Sequence, residues 1–381
     1  MRVAIVADGP AQAEVDCSRN PLVLAGGLRE LGHDVRLLVV EDAPPARGGT
    51  VPEAPDPDAV VPLAPARAGH GLASLAVPPD VVLSVGLSAP IAAAVLAESL
   101  GVPLVVSLPA AFFGSCPPAH GYGRLVCRHL PCSCLVVECD RHRLAAQALG
   151  ADPHRVFVVP PGIRLDGYGD PRSADADRDE SRGVAADPLR VLFDASRTSA
   201  EEQRFLEGVL TRLARERRRN IRTVVRVAAA NGSGAGSAAE LWRDRPDTLV
   251  VASDDGAKIA NLFAGSDLVV IPSATADESV TALRAMAAGR PLVAADCPSI
   301  RDVVSTARYG VLARPGWTDE WIDKLDYLIA ERAVRLHIGR SARARVETAF
   351  SLPQTLQQLD DRLVAVTATW RYDVVGQPAM D

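Results

Sequence analysis

The residues best suited to chemistry lie in one segment of this chain, DLVVIPSATADESVTALRAMAAGRPLVAADCPSIRDVV at 267–304. Asp277 and Glu278 immediately precede a predicted helix over residues 279–288. The first amides of a helix have no intrahelical acceptor and lie at the positive end of its dipole, so they can hold a phosphate group. In this helix those amides belong to Ser279, Val280 and Thr281. The alternative is an ordinary helix that Asp277 and Glu278 merely cap.

Two further side chains could take part in such a site. Arg284 lies on the same face of the predicted helix as Thr281, because residues three apart are neighbours on a helix surface. His120 falls in a Pro- and Gly-rich loop, residues 114–123, where it could act as a general base in a cleft. A loop histidine that is simply solvated is the competing interpretation.

Four of the seven cysteines cluster along the chain with His129. Their spacing, C-x4-C-x-C-x4-C, lacks the C-x2-C pairs that are typical of zinc sites, and one of them opens the apolar run CLVVE. We therefore predict structural thiols and expect no metal, with a metal site as the alternative. The four residues are Cys127, Cys132, Cys134 and Cys139.

Short β-branched runs separated by helical stretches predict two parallel sheets, since strands that alternate with helices pair in parallel. The predicted strands of the first sheet are residues 3–7, 35–40, 81–85, 104–108, 135–137 and 156–159. Those of the second are residues 191–193, 223–227, 249–251, 268–271, 292–294 and 310–312. After Pro315 the pattern is purely helical.

This alternation predicts an α/β fold of two doubly wound, Rossmann-like domains that face one another across a cleft. The first domain is expected over residues 1–165 and the second over 189–355. Residues 166–188 are rich in Asp, Arg, Gly and Ser and have no apolar periodicity, so we interpret them as a linker. A final helix is expected within residues 356–381.

Composition argues against several functions. The net charge of −6 and the scattered basic residues argue against nucleic acid as a partner. The first residues lack the apolar core of a secretory signal, and the most apolar stretch, 89–114, contains Glu98 and is broken by Gly101 and Pro103. We therefore expect a cytoplasmic protein without an integral membrane segment. The dominance of arginine over lysine is compatible with a GC-rich genome and natural-product (antibiotic) biosynthesis.

Two segments resemble one protein family, the retaining family-4 glycosyltransferases with the GT-B fold. VFVVPPGIRLDGY at 156–168 resembles the V-x-P-x-G-I/V-D motif that closes the first domain of that family. Residues 267–304 resemble its P-S-x-x-E-x7-E-A-M-A-x-G-x-P-V-V-A donor motif. The resemblance implies an N-terminal acceptor domain, a C-terminal donor domain, and a last helix that returns to the first domain. It also implies a UDP- or GDP-sugar as co-substrate, without a metal or other cofactor.

The resemblance assigns donor-site roles to individual residues. Glu278 corresponds, with a slip of two residues, to the catalytic-site Glu that reaches the sugar hydroxyls, and Asp277 precedes it. Arg197 resembles the arginine of the G-R-x4-K-G motif that neutralises the diphosphate, while the lysine of that motif falls on Glu202. The second Glu of the family, which binds ribose, is Arg284 in this sequence.

Two further departures lie in the first domain. The family's glycine pair is reduced to Gly9 within Asp8-Gly9-Pro10, and Pro109 stands where the family has an acceptor-side histidine. Arg284 either supplies the positive charge lost at Glu202 or marks a site that no longer binds ordinary nucleotide sugars.

The leading hypothesis is a glycosyltransferase that acts on a small polar acceptor. The alternative is a catalytically inactive relative that serves as a binding or scaffold partner of an active enzyme. A pyridoxal phosphate phosphorylase would need a cleft lysine, and the only lysines, Lys258 and Lys324, fall in ordinary helical patterns. A nucleotide-sugar epimerase lacks the A-M-A-x-G-x-P segment. The sequence leaves a homodimer open.

Overall fold

The computed structural model of the chain describes most of its residues. They are residues 1–8, 16–40, 61–63, 77–115, 121–169, 188–196, 198–228, 240–243, 245, 247–274 and 278–375. The chain divides into two compact units. Unit 1 comprises Met1–Gly162 with Leu352–Asp381, and unit 2 comprises Ile163–Ser351.

Unit 1 contains a sheet of seven parallel strands in the order β3-β2-β1-β4-β5-β6-β7. The strands are β1 Arg2–Asp8, β2 Asp34–Val40, β3 Val61–Leu63, β4 Val81–Val85, β5 Leu104–Leu108, β6 Cys134–Val137 and β7 Val156–Val158. The helices are α1 Pro21–Glu30, α2 Ala89–Leu100, α3 Ala110–Ser115, α4 Gly121–Arg124 and α5 Asp140–Ala148. Six of these strands agree with the strands predicted from sequence, and β3 was not predicted.

Unit 2 contains six parallel strands in the order β10-β9-β8-β11-β12-β13. They are β8 Leu189–Asp194, β9 Ile221–Val227, β10 Thr248–Ala252, β11 Leu268–Ile271, β12 Leu292–Ala295 and β13 Val311–Ala313. The helices are α6 Ala200–Glu216, α7 Gly256–Ala264, α8 Ser279–Ala287, α9 Pro298–Val304, α10 Thr318–Ala330 and α11 Arg332–Ala349. The predicted pair of doubly wound α/β folds is therefore confirmed.

The last helix, α12 (Leu352–Val375), packs on the sheet of unit 1. Its buried leucines are spaced four, three and four residues apart, which places them on one helix face; they are Leu352, Leu356, Leu359 and Leu363. They join the apolar cluster that contains Val3, Ile5 and Leu28. The predicted return of the C-terminal helix to the first domain is confirmed.

Gly162 explains part of the PPGI motif. A Cβ atom at this position would lie 2.8 Å from the Cα of Leu352 and 2.6 Å from Oγ1 of Thr355, so a larger residue would push α12 away. Gly162 also exchanges two hydrogen bonds with Ser18, both 2.8 Å long. The motif therefore matters for packing within unit 1.

The predicted linker, residues 166–188, lies mostly outside the described residues. Its first part forms a short 3-10 turn, Asp166–Tyr168, in which Tyr168 is buried. A Cβ at Gly167 would contact the Cβ of Ala260 on α7 at 3.4 Å, so this turn packs within unit 2. Among the described residues, no helix is long and apolar enough to cross a bilayer.

Candidate functional site

The strand order of unit 2 identifies a switch point between β8 and β11. Successive strands run outward from β8 through β9 and β10 on one side, and from β11 through β12 and β13 on the other. Open parallel sheets bind ligands outside the carboxyl ends of the strands at such a point. The loop after β8 includes position 197, and the loop after β11 leads into α8. The fold therefore brings the two predicted donor segments to the same edge of one sheet.

Glu278 occupies the N-cap position of α8 and is 1% exposed. Its side chain makes no capping hydrogen bond to the first turn of the helix. No capping hydrogen bond from the side chain supports the capping interpretation of Glu278, but its acidic group still stands at the positive end of the helix dipole. Its partner in that interpretation, Asp277, lies outside the described residues, as does Arg197.

The helix that follows is buried along its whole length, from Ser279 to Ala287. Ser279 and Val280 are each 3% exposed and Thr281 is 5% exposed, while Arg284 is also buried. Burial on every side is typical of a helix inside the core of a protein.

The far end of α8 is fixed by α11. The Nη1 of Arg343 donates a hydrogen bond to the carbonyl of Ala287, the last residue of α8. Two other arginines of α11 do the same for neighbouring helices. Arg345 bonds the carbonyl of Val303 at 2.8 Å, and Arg335 bonds the carbonyl of Leu328 at 2.6 Å. These cations satisfy carbonyls that a helix leaves unpaired at its C-terminus.

Glu202 has a structural role that its alignment with the family lysine did not suggest. It forms a capping box with Ser199 at the start of α6. Its Oε2 accepts hydrogen bonds from the amide of Ser199 at 2.8 Å and from Oγ of Ser199 at 2.9 Å. The hydroxyl accepts in turn from the amide of Glu202 at 3.2 Å. The carboxylate thus stabilises α6, as S/T-x-x-E motifs do.

A buried ion pair that the sequence did not predict lies at the same edge. Arg226 in β9 donates to Asp194 at the end of β8, with 2.8 Å between Nη1 and Oδ2. Arg226 is 1% exposed and Asp194 is 4% exposed. The signal available beforehand was an arginine inside the apolar run TVVRV, since a buried charge needs a partner.

The switch point of unit 1 lies between β1 and β4. At the end of β1, Asp8 accepts hydrogen bonds from the first turn of α2. The amide of Ala89 donates at 2.6 Å, and the amide and hydroxyl of Ser88 donate at 3.1 and 2.9 Å to the same Oδ1. Leu87 donates its amide to Oδ2. Gly86 has φ of +130°, and a Cβ there would lie 2.5 Å from the carboxylate.

The remaining first-domain predictions stay predictions. Pro109 is half-buried between β5 and α3, and its carbonyl accepts from the amide of Phe112 at 3.0 Å. Gly9 and His120 lie outside the described residues.

The four clustered cysteines do not share one environment. Cys127 and Cys132 pack in one apolar cluster of unit 1, and Cys134 packs in the other. Burial raises the pKa of Cys132 to about 11 and that of Cys134 to about 12. A buried thiol with such a pKa is protonated at neutral pH and unreactive. The prediction of structural thiols fits these three positions.

Two family models match the chain. Residues 19–162 match the model described as "Glycosyl transferase 4-like domain", and residues 201–331 match "Glycosyl transferases group 1". The two matches fall in unit 1 and unit 2 respectively.

Curated relatives named D-inositol 3-phosphate glycosyltransferase are similar over part of the chain. The protein of Gordonia bronchialis is 30% identical over 227 residues, which is 55% of this chain and 47% of the relative. That of Geodermatophilus obscurus is 31% identical over 239 residues, which is 58% of this chain and 49% of the relative. The chain thus spans about half the length of the curated relatives it matches.

Solved structures share the fold over nearly the whole chain. HepE from Anabaena in complex with UDP has a TM-score of 0.73 at 15% identity, covering 96% of this chain and 100% of that one. Sucrose-phosphate synthase from Thermosynechococcus elongatus has a TM-score of 0.74 at 14% identity, covering 97% and 100%. UDP-GlcNAc 2-epimerase from Neisseria meningitidis has a TM-score of 0.60 at 13% identity, covering 96% and 100%.

Proposed function

Because this chain belongs to the family-4 glycosyltransferases with the GT-B fold, we propose that it transfers a sugar from a nucleoside-diphosphate sugar to a hydroxyl group of a small polar acceptor. The transfer breaks the bond between the anomeric carbon and a diphosphate oxygen and forms a bond to the acceptor oxygen. The nucleoside diphosphate leaves, and its freed oxygen takes up the proton that the acceptor hydroxyl loses. Retention of anomeric configuration and independence of metal ions are part of the proposal.

The chemistry requires positive potential where the diphosphate departs. The amides of Ser279, Val280 and Thr281 supply it as the first turn of α8, and the Arg197 guanidinium adds a full charge. Glu278, at the N-cap, is assigned to the sugar hydroxyls. Arg284, in the last turn of the same buried helix, adds a second cation in place of the lysine that Glu202 replaces.

One observation carries the proposal: β8 and β11 are neighbours, with Val270 paired to Phe193. The loop after β8 includes Arg197, and the loop after β11 ends at α8, so both start from the same edge of the sheet. The structure of HepE is a complex with UDP, which supports a uridine nucleotide as the first donor to test.

Calorimetric titration of the full chain with UDP-sugars and GDP-sugars tests the proposal. We expect one nucleotide to bind per chain. Replacing Arg197 with Met removes a charged hydrogen bond to the diphosphate, worth roughly 1.5–3 kcal/mol, and weakens binding by roughly 10- to 100-fold. The matched control is Arg222→Met, an exposed arginine near the amino end of β9, which leaves affinity unchanged.

Turnover is measured with radiolabelled donor and a panel of hydroxylated acceptors. D-inositol 3-phosphate belongs in the panel because the curated relatives are named for it. Failure of all UDP- and GDP-sugars to bind would contradict the proposal and favour the catalytically inactive relative. Binding without transfer to any acceptor would leave the donor assignment standing and contradict the enzymatic role.

A further inference from the structure

Arg226 joins three segments at the carboxyl edge of the unit 2 sheet. Its Nη1 donates to Asp194 Oδ2 at 2.8 Å and to the hydroxyl of Ser196 at 2.9 Å. Its Nε and Nη2 both donate to the carbonyl of Ser253 at 3.0 Å. Its Nη2 also reaches Asp254 Oδ1 at 3.3 Å. The segment after β8 and the segment after β10 are thus tied to one side chain in the strand between them.

The charges in this cluster are held away from water. The side chain of Arg226 is 1% exposed, that of Asp194 3%, and that of Asp254 26%. A buried ion pair must offset the desolvation of both charges, and well-packed apolar residues often give equal or greater stability. The arrangement is therefore better explained by the geometry that it imposes than by stability.

The ion pair of Arg226 and Asp194 fixes the residues that follow β8. Asp194 Oδ1 accepts hydrogen bonds from the amide of Ser196 at 3.1 Å and from its hydroxyl at 2.6 Å. Ser196 therefore has bonds to both members of the ion pair, and the next residue in the chain is Arg197. The amide of Ala195 is also fixed, by a 2.8 Å bond to the carbonyl of Arg226.

We propose that Arg226 is a positioning residue for donor binding: it holds Asp194, Ala195 and Ser196, the residues that lead to Arg197, which binds the diphosphate in the proposed function. This inference rests on the proposed function. Ligand contacts must be held within a fraction of an ångström by the residues behind them, and a displacement of about 1 Å can reduce the rate on the order of 100-fold.

The test compares variants of two buried arginines in unit 2. Arg226→Met removes the link, and Arg226→Met with Asp194→Asn removes it without leaving an unpaired buried carboxylate. Arg226→Lys keeps the charge but loses the planar fork of donors. The matched control is Arg335→Met, because Arg335 is 7% exposed and bonds the carbonyls of Leu328 and Ile329 at the last turn of α10.

Each variant is measured in three ways: melting temperature, UDP affinity by calorimetry, and hydrogen exchange of the amides of residues 195–203. We expect both Arg226→Met variants to bind UDP about tenfold more weakly and to exchange faster in that segment. Arg226→Lys should recover part of the affinity. Arg335→Met should lose melting temperature to a similar degree and keep both its UDP affinity and its exchange rates in that segment.

The inference is overturned if the Arg226 variants fold and bind UDP as tightly as the wild type, or if Arg335→Met weakens UDP binding equally. If the single variant does not fold, the double variant decides. Failure of the wild type itself to bind nucleotides would instead remove the proposed function. Hydrogen exchange of the amides of residues 195–203 is measured without a ligand. Unchanged exchange in the double variant would therefore contradict the role of Arg226 even if no nucleotide binds.

Discussion

In unit 1 the helix N-terminus at the switch point is held by a carboxylate of the chain itself, whereas in unit 2 the corresponding position is the proposed diphosphate site. Asp8 accepts hydrogen bonds from the amides of Leu87, Ser88 and Ala89 at the start of α2. At the start of α8, the acidic N-cap residue Glu278 makes no such bonds. One fold thus presents a helix N-terminus in two ways.

The difference teaches how a binding site can be confined to one of two similar folds. The amides of a helix N-terminus attract anions wherever they occur. In unit 1 the carboxylate of Asp8 satisfies them, which gives a structural role to the acidic residue that stands beside the position of the family's glycine pair. In unit 2 we propose that the first amides of α8 bind the diphosphate of the donor.

The variant Glu278→Gln should show the largest functional difference between Glu278 in unit 2 and Asp8 in unit 1. In our proposal Glu278 contacts the reacting sugar, and a group in that position contributes on the order of 100-fold to the rate. We therefore expect kcat to fall by about that factor, while UDP affinity changes little. Steady-state kinetics with the donor found by calorimetry measures this. An unchanged kcat would show that Glu278 does not take part in the reaction. Glu278 would then have a structural role, as Asp8 does.

Asp8→Asn should have the opposite profile. It replaces a charged cap with a neutral one, and we expect unit 1 to lose about 1–2 kcal/mol of unfolding free energy in urea with unaltered UDP affinity. The control is Asp152→Asn, because Asp152 is exposed and accepts a hydrogen bond from the amide of His154 at 2.9 Å; this variant should lose less stability. Weaker UDP binding in Asp8→Asn would show that unit 1 contributes to nucleotide binding.

Glu202→Lys restores the family's cation at the cost of the capping box. Loss of the carboxylate from Ser199 should lower unfolding free energy by about 1 kcal/mol. The new charge should strengthen UDP binding a few-fold if position 202 faces the diphosphate. Ser199→Ala serves as the control, because it weakens the same cap without adding a charge. Tighter binding in both variants would contradict the electrostatic reason.

The smallest expected effect is that of chelation. If amides and arginines neutralise the diphosphate in unit 2, EDTA should leave both UDP affinity and initial rate unchanged. The check is a rate assay with EDTA, then with added Mg²⁺ or Mn²⁺. Activity that EDTA abolishes and a divalent cation restores would contradict the metal-independent proposal.

Much of the fold could be read from local patterns, because a parallel strand buried on both faces is a continuous apolar run. The strand Val61–Leu63 escaped because it has three residues and includes Pro62. The capping box of Glu202 is also present in the sequence as Ser199-x-x-Glu202. Alignment with the family lysine predicted a loss of positive charge at this position and no cap.

Contacts between distant residues could not be read in this way. Arg226 and Asp194 are 32 residues apart, and Ala89 and Asp8 are 81 apart. Each pair meets only because two parallel strands end at the same edge of a sheet, as Asp194 and Arg226 do by direct pairing. The register that brings them together depends on the folded sheet and not on any local pattern.

The central claim, that unit 2 holds the diphosphate at the start of α8, is tested most directly by a crystal structure of the full chain with UDP. We expect phosphate oxygens about 3 Å from the amides of Ser279, Val280 and Thr281, with the Arg197 guanidinium beside them. A diphosphate bound at any other place on the chain would contradict the account.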